Sequence, residues 1–428
     1  MKKKDILFIA YFFPPIKTVG VFRSYYLSKY SKAHYENIYI ISTTNYRNMP
    51  QEPMNTEGVH ISRAFTFDYR TLISLRQKQS IHLSESFKKK YALKSIMKLI
   101  YGFPFNILLG EGGLIYILSA FFIALRLIRK NNIRIMYSSF SPYADHIVAY
   151  LLKICYPNIQ WVADFRDLHV DPYYEMVYWK RFQHWCNHKI LKKANLVTTV
   201  SDGLATHLKA YHPHIYAFKN GIQPISLKHE LPPQSFSKFT IAYTGSMFGD
   251  ARNPILFLEV VSDLIKNNVF TKENFQIIYA GKDTALWHMW IDRYVLHNFF
   301  ISKGMVSHAE AQAIQRQAHI NLLLTSALKD WTGIMTGKIY EYLAAQNPVL
   351  VLIDGTQDIE YETFITDLDA GLVGYNDHSF DIVKAFIKDK YEEWKKNGYV
   401  QSTIISDKLK TMTWENIVEK LWKTVQSR

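Results

Sequence analysis

The stretch "FTIAYTG", residues 239–245, decides the fold. It is an apolar run of strand length that ends on a glycine. It follows "GIQPISLKHELPPQSFSK" (221–238), a segment with three prolines and little periodicity, which reads as a linker. After it come "FQIIYAG" (275–281), "INLLLTS" (320–326), "PVLVLID" (348–354) and "AGLVGY" (370–375). Helical patterns fit 254–267, 308–317 and 337–346 between them. The first half repeats the scheme with strands at 6–12, 37–43, 58–62, 133–139, 159–165, 195–201 and 215–221, and helices over 22–35, 114–131, 143–155 and 174–193. Near-continuous apolar strands alternating with helices belong to parallel sheets covered on both faces. The predicted class is α/β, with two Rossmann-like βαβ domains facing a central cleft. Ligands of open α/β sheets bind at the carboxyl ends of the strands. The predicted parts are a domain over 1–221, a linker over 222–238, a second domain over 239–410, and a closing helix over 411–428 directed back toward the first domain.

The 428 residues suffice for two cores. Lys and Arg exceed Asp and Glu by 51 to 37, a net charge of +14, which favours an anionic partner: nucleic acid, an anionic membrane or a phosphorylated substrate. The two cysteines, Cys155 and Cys186, make neither a metal framework nor a disulfide scaffold and read as reduced core residues. The opening "MKKKDILFIAYFFPP" mimics a signal peptide, but its apolar centre is short and no small-x-small site follows, so it reads as a first buried strand. The apolar run 112–125 falls short of the roughly 20 residues of a membrane span. Residues 65–110 alternate basic and bulky apolar groups. Around Phe87 to Leu109 they suggest a helical hairpin with a cationic, greasy face suited to anionic lipid.

Three stretches carry chemistry. In "YFFPPIKTVGVFR" (11–23), Pro14 and Pro15 stop the first strand, Gly20 permits close approach, and a helix from about Val21 aims free N–H groups outward. The second domain opens in parallel with "YTGSMFGDARNP", where Gly245 and Ser246 offer backbone and Arg252 a charge for a phosphate. In "WTGIMTGKIYEYLAAQNPVLVLID" (331–354), Thr336 or Gly337 begins a helix with Lys338 in its first turn. That is a poor place for a cation against the helix dipole, and a bound phosphate repairs it. Glu341 lies on the same side, suited to accept from two sugar hydroxyls; the plain alternative is an i,i+3 ion pair.

These pieces, with "MYSSFSPYADHIVAYLL", "WVADFRDLH", "LVTTVSDGL", "FKNGI", "IIYAG" and "TWENIVEKL", resemble in kind and order a GT-B-fold glycosyltransferase of retaining family 4, in its capsular and exopolysaccharide branch. The resemblance implies transfer of a sugar from a nucleotide-diphosphate donor to a saccharide or lipid-linked saccharide, with undecaprenyl-diphosphate the expected carrier, on the inner face of the cytoplasmic membrane. No clustered carboxylates or Cys/His set in the sequence offers a divalent-metal site, so no essential metal is expected and phosphate neutralisation is assigned to the protein. Glu341 would hold the donor ribose; Arg252 and Lys338, with Gly245, Ser246, Thr336 and Gly337, would meet the diphosphate; Gly20 would face diphosphate and acceptor. In "WVADFRDLH", Asp167 is preferred to Asp164 beside the transferring sugar, Asp164 being read as an anchor for Arg166, and His169 as a hydroxyl partner. Ser141 reads as a helix cap. Two departures stand out: Val19-Gly20 where many relatives have two glycines, and Gly333 where the first of two spaced glutamates is usual. Backbone groups from Gly333 to Thr336 are the expected substitute. Competing readings are an inactive nucleotide-sugar-binding scaffold, a nucleotide-sugar epimerase and a nucleic-acid-binding α/β protein. The last lacks a recognition element or a continuous basic stripe.

Overall fold

The computed structural model describes residues 4–66, 112–167, 179–223, 236–247, 252–329, 331–333, 335–376 and 378–427. The chain divides into two compact units, one of residues 1–219 with 417–428 and the other of residues 220–416.

The first unit is a seven-stranded parallel sheet. Its strands are β1 (Asp5–Ile9), β2 (Ile38–Thr43), β3 (His60–Ala64), β4 (Ile133–Phe140), β5 (Gln160–Phe165), β6 (Leu196–Thr199) and β7 (Ile215–Ala217). They lie in the order β3-β2-β1-β4-β5-β6-β7. The connecting helices are α1 (Val19–Ser31), α2 (Leu114–Lys130), α3 (Ala144–Cys155), α4 (Lys180–Leu191) and α5 (Asp202–Leu208). Every residue of β1 is buried, as the unbroken apolar run requires of a central strand. The order reverses at β1 and β4, which pair through Phe8 with Tyr137 and Ile9 with Ser138.

Buried polar links tie this sheet to its helices. Arg23 of α1 donates to both carboxylate oxygens of Asp164 on β5 at 2.8 Å, and to the Phe218 carbonyl at 2.9 Å. Burial alone would push Asp164 up, yet the Arg23 guanidinium and bonds from Arg23 and Thr198 hold it below the usual carboxylate range. Asp164 therefore anchors Arg23 rather than Arg166. Asp145 of α3 accepts from the Tyr11 N–H at 2.8 Å and the Tyr116 hydroxyl at 2.7 Å, joining the end of β1 to α2 and α3. Ser141 does not cap α3, whose N-cap is Tyr143 with no side-chain cap bond. Cys155 is exposed and Cys186 half-buried, both free, so neither is the core residue expected.

The second unit is a six-stranded parallel sheet of β8 (Phe239–Thr244), β9 (Phe275–Ala280), β10 (Phe300–Ser302), β11 (Ile320–Ala327), β12 (Val349–Gly355) and β13 (Gly371–Tyr375), ordered β10-β9-β8-β11-β12-β13. Its helices are α6 (Ile255–Lys266), α7 (Thr284–Tyr294), α8 (His308–Gln317), α9 (Gly337–Ala345), α10 (Ile359–Asp367), α11 (Phe380–Asn397) and α12 (Ser406–Thr411). A last helix, α13 (Trp414–Gln426), closes the chain. Its Trp422 donates to Ser31 Oγ at 2.7 Å and packs edge-on against Phe8 and Tyr35 within the first unit. Apolar clusters cover both faces of the second sheet, one with Phe239, Trp287 and Ile320, the other with Ile339, Leu343 and Tyr361. Here the strand order reverses at β8 and β11. Among the described residues no helix is long and apolar enough to cross a membrane.

Candidate functional site

The loops after β8 and β11 leave the carboxyl ends of the two strands where the second sheet reverses, the position at which open α/β sheets bind ligands. Gly245 and Ser246 follow β8 directly, and the Arg252 guanidinium returns to the Ser246 carbonyl at 3.2 Å. Helix α9, which follows β11, has Thr336 as N-cap, Gly337 first and Lys338 second. Its opening N–H groups precede the first intrahelical bonds.

Lys338 is half-buried beneath the β8 loop, its amine 5.3 Å from the centre of the Tyr243 ring. A Cβ on Gly245 would stand 1.5 Å from Lys338 Nζ, and the Gly245 φ of +149° is itself unfavourable to a side chain. The glycine is thus what admits the lysine. Burial first, then the neighbouring Arg252, pulls the Lys338 amine down to about 7; Glu341 and Asp283 offset only part of this, and Lys282 adds to it. Two further cations, Arg252 and Lys282, are therefore in electrostatic reach of the Lys338 amine at a strand-end loop. An amine depressed by burial and by neighbouring cations is relieved by a bound anion.

Glu341 stands one turn along α9 but does not close on Lys338 as an ion pair. Gln315 donates to its Oε2 at 3.0 Å and to Thr244 Oγ1 at 2.9 Å. His308 Nδ1 lies 3.9 Å from Oε1. Glu341 is held from behind by a buried amide while its side chain keeps 28% of its surface open, an arrangement suited to accepting from a ligand's hydroxyls. Gln315, Lys282 and His308 were not among the residues singled out from sequence. They come from other elements, and only the fold brings them in.

Of the backbone groups expected to substitute for the missing first glutamate, three N–H donors are taken up within the fold. Gly333, at φ +73°, gives its N–H to Asp358 Oδ2 at 2.7 Å. The Met335 N–H goes to the Gly333 carbonyl at 2.9 Å, and the Thr336 N–H to the Tyr361 hydroxyl at 3.4 Å. These donors build the turn into α9 rather than standing open.

In the first unit the corresponding position lies after β1 and β4. Helix α1 begins at Val19, so Gly20 sits in its first turn. A Cβ there would come 2.5 Å from Arg166 Nη1. Arg166 donates through Nε to the Phe140 carbonyl at 2.9 Å and through Nη2 to the Ser141 carbonyl at 2.8 Å. Gly20 thus makes room for a guanidinium that bridges the loops after β1, β4 and β5. Asp167 follows Arg166 and is exposed. His169 and the basic segment around Phe87 to Leu109 lie outside the described residues. Among those described, no three His, Cys, Asp or Glu side chains gather as metal ligands.

No family model and no curated protein matches this chain. Solved structures do. Sucrose-phosphate synthase from Thermosynechococcus elongatus superposes with a TM-score of 0.62 at 9% identity, over 99% of this chain and 98% of its own. The N-terminal domain of Candida albicans trehalose-6-phosphate phosphatase gives 0.63 at 12%, over 99% and 97%. The lipopolysaccharide outer core galactosyltransferase WaaB gives 0.56 at 11%, over 99% of both chains. At such identities the likeness carries the fold alone, and that fold is the GT-B architecture of two Rossmann-like units.

Proposed function

We propose that this protein is a retaining glycosyltransferase. It would move a sugar from a nucleotide-diphosphate donor to a saccharide or lipid-linked saccharide, undecaprenyl-diphosphate-linked, in bacterial surface polysaccharide synthesis at the cytoplasmic face of the membrane. The observation that carries this reading is the gathering of Arg252, Lys338 and Glu341 at the reversal point of the second sheet, with the Lys338 amine drawn down to about 7. In this assignment Arg252 and Lys338 take the diphosphate with the N–H groups of Gly337 and Lys338 and the backbone of Gly245 and Ser246. Thr336 shapes the entry to the helix, and Glu341 takes the ribose hydroxyls. The likeness in fold to a named galactosyltransferase supports sugar transfer as the reaction.

The chemistry follows from charge. As the bond between the anomeric carbon and the diphosphate breaks, negative charge grows on the leaving oxygen, where Arg252, Lys338 and the start of α9 would stabilise it. The acceptor hydroxyl then forms the new bond on the face the diphosphate leaves. Its proton passes to the departing phosphate oxygen, and the configuration is retained. Asp167 and Gly20 of the first unit are assigned to the sugar and acceptor side. Protein incubated with a panel of nucleotide sugars and lipid-linked acceptors, with products read by mass spectrometry and NMR, tests this. A retained linkage is expected. Donor binding without transfer to any acceptor would favour the inactive scaffold, a reading to which the occupied backbone donors at Gly333 and Thr336 give some weight.

A further inference from the structure

Helices α2 and α3 pack on the first sheet, and α3 also packs on α4, so that α3 stands between the other two in one run of helices. The two outer helices are unusual in what they turn to solvent. On α2, Leu114, Ile115, Leu118 and Phe122 are exposed, Phe122 to 64%. On α4, Trp185 is 54% exposed and stacks on Phe182 at 5.7 Å, while the polar Gln183 and Asn187 point inward. Helix α4 is thus inverted, with amides inside and aromatic rings outside. Exposed apolar surface concentrated on one run of helices marks an interaction site rather than ordinary scatter.

The charge pattern identifies the occupant. Arg126, Arg129 and Lys130 end α2, and Lys180, Arg181, Lys189, Lys192 and Lys193 run along and past α4. Neither Leu114–Lys130 nor Trp179–Lys193 contains an Asp or Glu. The Lys189 amine lies 5.8 Å from the Trp185 ring centre, a cation held at the edge of the aromatic surface. Aromatic rings with cations alone would also suit a saccharide or a single-stranded nucleic acid. The aliphatic stripe on α2 suits neither, because it offers no stacking face and no hydrogen bond. Leu, Ile, Phe and Trp side chains ringed by Lys and Arg, without carboxylates, match the acyl and headgroup boundary of an anionic bilayer.

We infer that the outward face of α2 and α4 docks the protein on an anionic membrane surface. This rests on the reading that the acceptor is lipid-linked, yet its test does not depend on transfer activity. The full-length protein is floated with vesicles of phosphatidylglycerol and phosphatidylethanolamine and, separately, of phosphatidylcholine. The variants are Leu118→Ser with Phe122→Ser, Trp185→Ser with Lys189→Gln, and, as a control in the other unit, Met305→Ser. All substituted residues are exposed, and the melting temperature is followed to verify folding. Binding to the anionic vesicles alone is expected, reduced at least about tenfold by either double variant and unaltered by Met305→Ser. Nucleotide-diphosphate affinity, measured by calorimetry, should be the same in all four proteins, so a failure of the donor site is seen separately. Undiminished vesicle binding by both double variants overturns the inference. So does absence of wild-type binding to anionic vesicles. Loss of oligosaccharide or single-stranded DNA binding in the same variants, with vesicle binding intact, would reassign the face.

Discussion

Lys338 holds a charge in a setting that works against it. Its amine falls from the ordinary lysine value of 10.5 to about 7, so its charged form weakens the fold. The unfolded chain binds more protons than the folded one between those values. The cost is therefore full below about 7 and is relieved as pH rises toward 10.5. Lys338→Met should raise the melting temperature of the free protein near neutral pH by about 2–4 °C while weakening nucleotide-diphosphate binding at least about tenfold. Scanning calorimetry and titration calorimetry check the two halves; a destabilised variant with intact binding would contradict both. For the wild type, a diphosphate favours the protonated amine, so affinity should fall as pH rises through about 7. Titrations in two buffers of different ionisation heat should detect proton uptake on binding at pH about 8. Gly245→Ala should act on the same residue from outside, since its Cβ has no room unless Lys338 moves. Reduced nucleotide affinity with a nearly unchanged fold by circular dichroism is expected. Of the residues gathered here, Lys338 stood out in the sequence against the helix dipole and Gly245 at a strand end, while Arg252 and Glu341 were read from charge and helical spacing. Gln315 and Lys282 were not singled out, and only the fold brings them near.

At the scale of elements, α1 is fastened to β5 by Arg23 and Asp164, of which 3% and 0% of the side-chain surface is exposed. Removing one partner strands the other charge, so Asp164→Ala should cost about 3 kcal/mol in urea unfolding. A loss below about 1 kcal/mol would mean that the pair contributes little. The start of β8 depends on His319, whose Nδ1 accepts the Thr240 N–H at 2.9 Å. Burial lowers His319 from 6.5 to about 4, so the unfolded state binds the extra proton between those values and stability is lost as pH falls through that window. His319→Asn, which keeps an acceptor, should flatten the acid limb of the stability curve; an unaltered limb would place the acid sensitivity elsewhere. The long central strands were legible as unbroken apolar runs. Strand β10 was not, because Phe300–Ser302 is too short to show any period. Strand β3 was expected two residues early, since Gly58, at φ +74°, still belongs to the turn that precedes it.

For the whole molecule, the repeated strand-helix alternation on either side of residues 221–238 was enough to give two parallel sheets, and the reversal point of each follows from strand order. The excess of positive charge was legible too, but not its division into a cation cluster at the strand ends of one unit and a basic, apolar helix face on the other. The central claim is that a nucleotide diphosphate sits at the β8 and β11 strand ends, between Arg252, Lys338 and Glu341. A crystal structure of the protein with a bound nucleoside diphosphate tests it most directly. The diphosphate should lie on the Lys338 amine and the Arg252 guanidinium, with the ribose hydroxyls on the Glu341 carboxylate. A nucleotide seated elsewhere, or Lys338 and Glu341 turned away from it, would contradict the account.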